Sequence, residues 1–396
     1  MTALQRRTAS RMAEIAPSPI RAIFDRAAEL EASGRKIFHF EIGRPDFDTP
    51  QVAKAAASAS LDRGEVHYSA NPGTAELRGE IATYLADRRG TRYDPNGEVL
   101  VTIGANEAVF LSFMAYCGAG DEIVMLTPAW AHYEACAKLV GATPVAVPLD
   151  AANGYRFDAE ALRAAITERT AMVVICTPNN PTGGVLTGED ISAIEDMLSG
   201  TDIVLLSDEI YADLVYGDAV HESPAARDSL RERTLVVGGF AKAFAMDGWR
   251  LGWLAGPREL VTPALRVRQY TTVCAPTFLQ PGAAAALRDA RDEAEQMRRS
   301  FETRRAAGLE ILRAIPGIRV ADPDGAFYFY VSYDAGTAEP AQQLAMRLLE
   351  DHGVAVVPGT AFDPEHGAHS FRISYACDID DLREGLARIG TAFSQQ

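Results

Sequence analysis

The 396-residue sequence predicts an α/β fold: a large domain with a mostly parallel central sheet, joined to a smaller α+β domain. Three observations carry this reading. Short β-rich apolar runs alternate with helical patterns through the middle of the chain. A long, charged helical stretch from Pro281 to Ile315 breaks that rhythm. Strand-like and helical segments then return, grouped together, up to the end of the chain. At roughly 100–200 residues per domain, the length also suits two or three domains.

In chain order, the first 45 residues hold one helical stretch, IRAIFDRAAELEA, and one strand, IFHFEI, ahead of the turn GRPDFDTP. EVLVTI (98–103) reads as a strand followed by the helical ANEAVFLSFMAYC, and EIVMLTP (122–128) as a strand followed by AHYEACAKLV. TAMVVIC (170–176), DIVLLSDEIY (202–211) and RTLVVGGF (233–240) are further strands ending in polar or Gly residues. The 281–315 stretch reads as one or two helices linking domains. After it come IRV, AFYFYVSY, a helix near 339–352, VAVVP, FRISYA and a last helix. The expected division is 46–290 for the large domain, with 1–45 and 291–396 forming the small one. There is no internal repeat and no low-complexity segment.

Composition excludes several classes. A formal charge of −16 disfavours nucleic acid and anionic membrane surfaces as partners. The five cysteines are widely spaced, without a C-x-x-C, which argues against a disulfide frame or a zinc site and for free thiols in a reducing compartment. The opening MTALQRRTASRM lacks the apolar core of a secretory signal, and no apolar run is long enough to span a membrane. The expectation is a cytoplasmic protein without a metal. Lysine is scarce: Lys36, Lys54, Lys138 and Lys242 are the four in the chain.

Open parallel sheets bind ligands at the carboxyl ends of their strands, so the residues after each apolar run are the place to look for chemistry. Lys242, in VVGGFAKAFAMDGWRLGW, lies just past a strand among Gly, Ala and Phe. Desolvation there would lower its pKa and free the amine for Schiff-base chemistry; a surface loop lysine is the plain alternative. Arg250, eight residues on, could bind a phosphate bidentately or form an ordinary ion pair. Asp208 ends a buried strand, where a carboxylate needs a partner such as a protonated ring nitrogen, unless it caps a helix. Tyr211 and Asn180 could donate to a phenolic oxygen on the same ring. Gly104, Ala105 and Asn106 lie between a strand and a helix, where free N–H groups and the helix dipole make a phosphate cradle or a plain turn. Trp130, at another strand end, could stack on a planar ring or fill a core. Arg372, on the apolar FRISYA strand, demands an anion, either a substrate carboxylate or an internal acid.

Together these strings resemble the class I/II aminotransferases of pyridoxal 5'-phosphate (PLP) fold type I, of the aspartate-aminotransferase kind. The resemblance begins at PSPIRAI (17–23) and runs to the final helix, through IGRPDFDTP, HYSANPGTAELRGEIA, IGANEAVF, TPNNPTG, SDEIY, GFAKAFAMDGWRLG, VVPGTAF and FRISYA. Each string alone is modest; the ordered set is specific. The resemblance implies PLP as cofactor and a role for each matching position. Lys242 matches the Schiff-base lysine and Asp208 the carboxylate on the pyridine nitrogen. Tyr211 and Asn180 match the groups on the phenolic oxygen. Arg250 and the Gly104–Asn106 turn match phosphate binders, and Trp130 matches the aromatic on the ring. Arg372 matches the binder of the substrate α-carboxylate, with Gly43 beside it. Tyr68 matches a tyrosine that reaches the phosphate of the neighbouring subunit, which implies a homodimer with shared active sites.

Four departures stand out. Ala241 replaces a frequent Ser, Asp247 a usual Thr, and Arg44 a usual Glu; Asn106 stands where aspartate-specific relatives carry Lys. Asp247 and Asn106 both make the local field more negative, which predicts a neutral or cationic substrate side chain, unless Asp247 only caps the following turn or pairs with an Arg outside the pocket. The leading expectation is exchange of an amino group between an amino acid and a 2-oxo acid. A PLP-dependent lyase, cyclase or oxidase acting on an amino acid, a basic one among the options, is the alternative on the same scaffold. A non-enzymatic regulator domain would need a DNA-binding segment, and the enzyme-like pattern leaves no room for one.

Overall fold

The computed structural model describes residues 8–15, 19–334 and 339–394. Pro17 and Ser18, where the family resemblance begins, lie outside the described residues. In chain order the strands are β1 (Phe38–His39), β2 (Val99–Thr102), β3 (Glu122–Thr127), β4 (Thr143–Pro148), β5 (Thr170–Cys176), β6 (Val204–Asp208), β7 (Thr234–Gly239) and β8 (Gly252–Ala255). They continue with β9 (Ile318–Val320), β10 (Tyr328–Tyr333), β11 (Val354–Ala355), β12 (Val357–Pro358) and β13 (Ser370–Ser374).

Seven strands form the central sheet in the order β2-β8-β7-β6-β5-β3-β4. Neighbours pair in parallel from β7 through to β4, and β8 runs antiparallel to both β2 and β7. Strands β3, β6 and β7 are buried at every position, which is why they read as continuous apolar runs rather than alternating ones. A second sheet, β12-β13-β10-β9, is antiparallel throughout. β1 pairs in parallel with β11.

Helices with clear local signals cover the sheet. Thr74 caps Ala75–Arg89 by accepting from Leu77 N, and Gly90 ends it in the left-handed region at φ 68°. Thr187 and Asp190 form a reciprocal capping box at the start of Gly188–Leu198. The 281–315 stretch is two helices, Gln280–Asp289 and Arg291–Arg313, broken at Ala290. Among the described residues no helix is long and apolar enough to cross a membrane.

Two strands were not evident from sequence. β4 lies at the edge of the sheet, has one buried position of six, and its short Val145–Val147 run is bracketed by two prolines, which read as loop. β8 has four residues and begins with a glycine.

The topology puts three strand ends side by side. Cys176 at the end of β5 pairs with Asp208 at the end of β6, and Asp208 pairs with Val237 of β7. The turn 177–184, Asp208 and the loop carrying Lys242 therefore leave the sheet from one edge.

Candidate active site

These strand ends open into a cavity of about 260 Å³. It gathers Gly43, Gly104, Ala105, Asn106, Trp130, Asn180, Asp208, Tyr211, Lys242, Arg250 and Arg372, eleven of the twelve residues singled out by sequence. Tyr68 is the twelfth. It is 86% exposed and does not line the cavity of its own chain.

Lys242 follows β7 in a segment whose next four residues, Ala243 to Met246, are buried. That packing holds the lysine over the cavity, and its Nζ donates to the Gly43 carbonyl. Burial pushes the amine down to about 8; Arg372 and Arg250 act the same way, against Asp247 and Asp208. A surface loop lysine would show none of this.

Asp208 is 1% exposed. Its Oδ2 accepts from the Tyr133 hydroxyl at 2.6 Å, and its Oδ1 accepts from Ile210 N at 3.2 Å. Burial pushes its carboxyl up to about 6, while those two donors pull the other way. No described basic side chain lies within ion-pair distance of it. It caps no helix: the residues after it form turns.

Tyr211 and Tyr328 share a hydrogen bond between hydroxyls at 2.7 Å. Desolvation holds the Tyr211 hydroxyl well above its ordinary range, so it is a neutral donor. Arg372 lies on β13, paired with Tyr330 on one side and Val357 on the other. Its Nη1 donates to Asn180 Oδ1 at 3.0 Å and its Nη2 to the Glu41 carbonyl at 2.7 Å. The guanidinium stacks over the Tyr328 ring at 4.4 Å and the Phe362 ring at 5.0 Å. Its Nε has no partner and no described carboxylate pairs with it. The internal-acid alternative for this arginine is thereby removed.

The turn expected to cradle a phosphate is built by close backbone packing. Gly104 opens the helix Gly104–Tyr116 with φ +69°, and a Cβ there would meet Arg250 Nη2 at 3.0 Å. Arg250 is itself left-handed, at φ 54°, with Nη1 on the Asp247 carbonyl at 2.9 Å and Nη2 at 3.5 Å from Asn106 Oδ1. The guanidinium thus faces the first turn of the helix, where backbone N–H groups lack intrahelical partners. Trp130 packs against Tyr133 edge-on, centroids 5.5 Å apart, and against the His132 ring at 4.5 Å, and it lines the cavity.

These residues suit a phosphorylated pyridine aldehyde. A helix N-terminus with an arginine fits the phosphate, a buried carboxylate without a cation fits a ring N–H, and a desolvated lysine fits the aldehyde. Residues 35–389 match the family described as aminotransferase class I and II. The chain belongs to the class I and II aminotransferases. It is similar to the aspartate aminotransferase of Pyrococcus abyssi, 38% identical over 94% of this chain and 95% of that one. It is 37% identical to aromatic-amino-acid aminotransferase 2 of Thermococcus litoralis, over 96% of each. Among solved structures, the aspartate aminotransferase of Thermus thermophilus with maleate superimposes with a TM-score of 0.91 at 35% identity, covering 97% of this chain and 99% of that one. This aminotransferase depends on pyridoxal 5'-phosphate and moves an amino group between an amino acid and a 2-oxo acid; the lyase, cyclase and oxidase alternative has no support among these relatives.

Sequence reasoning missed Tyr133, Tyr328 and Glu41, all of which line the cavity. Tyr133 lies three residues beyond Trp130, one helical turn on, and that spacing was its signal. Tyr328 was hidden in the aromatic run of β10. Glu41 ends the alternating FHFE, whose phenylalanines face the core.

Proposed function

We propose that this aminotransferase uses Lys242 as its cofactor-holding and proton-transferring amine, Asp208 as the partner of the pyridine nitrogen, and Arg372 as the binder of the substrate α-carboxylate. The observation that carries the reading is the convergence of a desolvated lysine, a buried cation-free carboxylate and a buried acid-free arginine on one cavity. Bound PLP supplies an electron sink for the pair left behind at the substrate Cα. The protein's part is to orient and to move protons. Arg372, fixed by Asn180 and the Glu41 carbonyl, offers Nε and its remaining Nη protons to the carboxylate. Lys242 Nζ, with a pKa of about 8, is substantially neutral near that pH and takes the proton from Cα. Asp208, with a pKa of about 6, is anionic there and keeps the ring nitrogen protonated. Tyr211 and Asn180 would donate to the ring's phenolic oxygen, Trp130 would pack on the ring, and Arg250 with the Gly104–Asn106 turn would hold the phosphate.

We further read residues 46–290 as the large domain, and 1–45 with 291–396 as the small one. The exposed Tyr68 supports a homodimer in which it reaches the partner's phosphate. The five free cysteines support a reducing, cytoplasmic setting. Mixing the protein with PLP, each of the amino acids and a 2-oxo acid, then analysing products by mass spectrometry, tests the function. Stoichiometric amino transfer is expected; release of ammonia without a new amino acid would contradict it.

A further inference from the structure

Amino transfer as read above leaves two carboxylates of the cavity, Glu41 and Asp247, without a task. Glu41 lies just past β1 and is 1% exposed. Its Oε1 bonds His39 Nδ1 at 2.8 Å, and its Oε2, equally shielded from solvent, has no donor. His39 also bonds Glu31 Oε1, at 3.0 Å, and the two carboxylates, Glu41 foremost, push the imidazole up to about 9. One imidazole thus serves two acids. Glu41 lines the cavity beside Ile20 and Phe24 of the helix Pro19–Ala32. Its carbonyl accepts from Arg372 Nη2, so the residue stands on the same wall as the α-carboxylate site.

The charge balance of the cavity points the same way. Its lining cations are Lys242, Arg250 and Arg372, and the proposed function assigns each to the cofactor or the α-carboxylate. Asp208 is assigned to the ring nitrogen. Glu41 and Asp247 remain as lining acids, and among the described residues of this chain no lining cation is left to receive a second substrate carboxylate. A buried, half-satisfied carboxylate is stabilised most by a charged donor and least by another anion.

We propose that Glu41 is a specificity-determining residue that selects substrates with a cationic side chain, of the ornithine, lysine or arginine type. This rests on Arg372 holding the α-carboxylate. Glu41 Oε2 accepts from the side-chain ammonium or guanidinium, with Ile20 and Phe24 packing its methylenes.

Binding to the PLP-loaded enzyme tests this without requiring turnover. Three carboxylates lacking an α-amine are compared by calorimetry: 5-guanidinopentanoate, octanoate and octanedioate. The wild type is expected to bind the guanidinium compound at least about tenfold more tightly than the dianion. E41Q should cut that affinity by about tenfold or more, which is about 1.4 kcal/mol, while changing octanoate by less than about threefold. The proposal is overturned if the wild type binds octanedioate or octanoate as tightly as the cation, or if E41Q shifts all three by one factor. If E41Q does not fold, the wild-type ranking alone decides. Failure of amino transfer would register separately, in the product assay with a 2-oxo acid.

Discussion

The Tyr133 hydroxyl donates to Asp208 Oδ2 at 2.6 Å, so the carboxylate at the end of β6 is held by a residue from the helix His132–Val140, on the far side of the cavity's indole. With Ile210 N, this is the donor set that opposes the burial penalty on Asp208. Tyr133→Phe removes one of the two donors and should push the carboxyl above 6. The expected result is an acid limb of the pH–rate profile moved upward, with cofactor affinity reduced by roughly tenfold, the worth of one charge-assisted hydrogen bond. An unmoved acid limb would show that the hydroxyl does not tune Asp208.

Asp208 also makes a prediction for the cofactor-free protein. Its folded pKa, about 6, lies above the ordinary value of 3.8. The sign follows from linkage: its contribution to stability is fully present below pH 3.8 and is lost as pH rises through 6. Asp208→Asn removes that loss. The apo variant should therefore gain on the apo wild type between about pH 4 and pH 6 and keep a constant advantage above, of at most about 3 kcal/mol for a two-unit shift. Thermal denaturation across pH measures it. With PLP the order should reverse, because the ring N–H supplies the missing partner and Asn cannot hold the charge.

The lysine assignment is testable by chemistry alone. Borohydride reduction of the PLP-loaded enzyme should fix a pyridoxyl group on Lys242 and abolish the visible absorbance band. Peptide mapping that finds the label on Lys36, Lys54 or Lys138 would remove Lys242 from the centre of the mechanism. All three are tied up in ion pairs: Lys36 with Asp381 at 2.8 Å, Lys54 with Asp48 at 2.5 Å and Lys138 with Glu134 at 2.5 Å.

Most of the cavity was legible because its residues follow buried strands. Asp208, Asn180 and Lys242 each come directly after a continuous apolar run, and a parallel sheet brings such positions to one edge. Arg372 was legible for the opposite reason, as a charge inside an apolar strand. Tyr133 and Tyr328 were not, since a buried tyrosine reads as core until its hydroxyl's partner is known. Glu41 was missed because its meaning depends on contacts distant in sequence: the helix Pro19–Ala32 and Arg372, 331 residues away. The edge strand β4 lacks the apolar pattern that burial on both faces imposes on β3, β6 and β7.

Assembly gives a further test. Tyr68 and Tyr270 are 86% and 90% exposed, and Val66 and Val273 join them as exposed apolar side chains. The two loops are tied together, Asn71 donating to the Val273 carbonyl and Thr277 to the His67 carbonyl. Such a patch on a monomer is unusual and is best explained by a covering partner. Light scattering should give a dimer. Tyr68→Phe should weaken PLP binding several-fold without dissociating it, since one hydroxyl contact to phosphate is lost. A fully active monomer at working concentration would exclude shared sites.

The proposed phosphate cradle is an exacting piece of backbone, and Gly252 shows why. It opens β8, paired with Thr102 on β2 and Gly239 on β7. A Cβ on it would lie 2.8 Å from the Gly238 carbonyl oxygen, 2.9 Å from Gly104 C and 3.0 Å from Ala105 N. All three are backbone atoms, so no side-chain rotation can make room. Gly252→Ala must push β8 away from the first turn of the helix that faces the phosphate, at a cost of about 1–3 kcal/mol. Gly248→Ala, four residues earlier, meets nothing within 4 Å and serves as the control. The Gly252 variant should lose roughly tenfold or more in affinity for PLP, yet little for pyridoxal, which has no phosphate. Equal losses for both ligands would mean that the substitution unsettles the whole sheet edge rather than the cradle, and no loss would mean that Gly104 and Ala105 do not hold the phosphate.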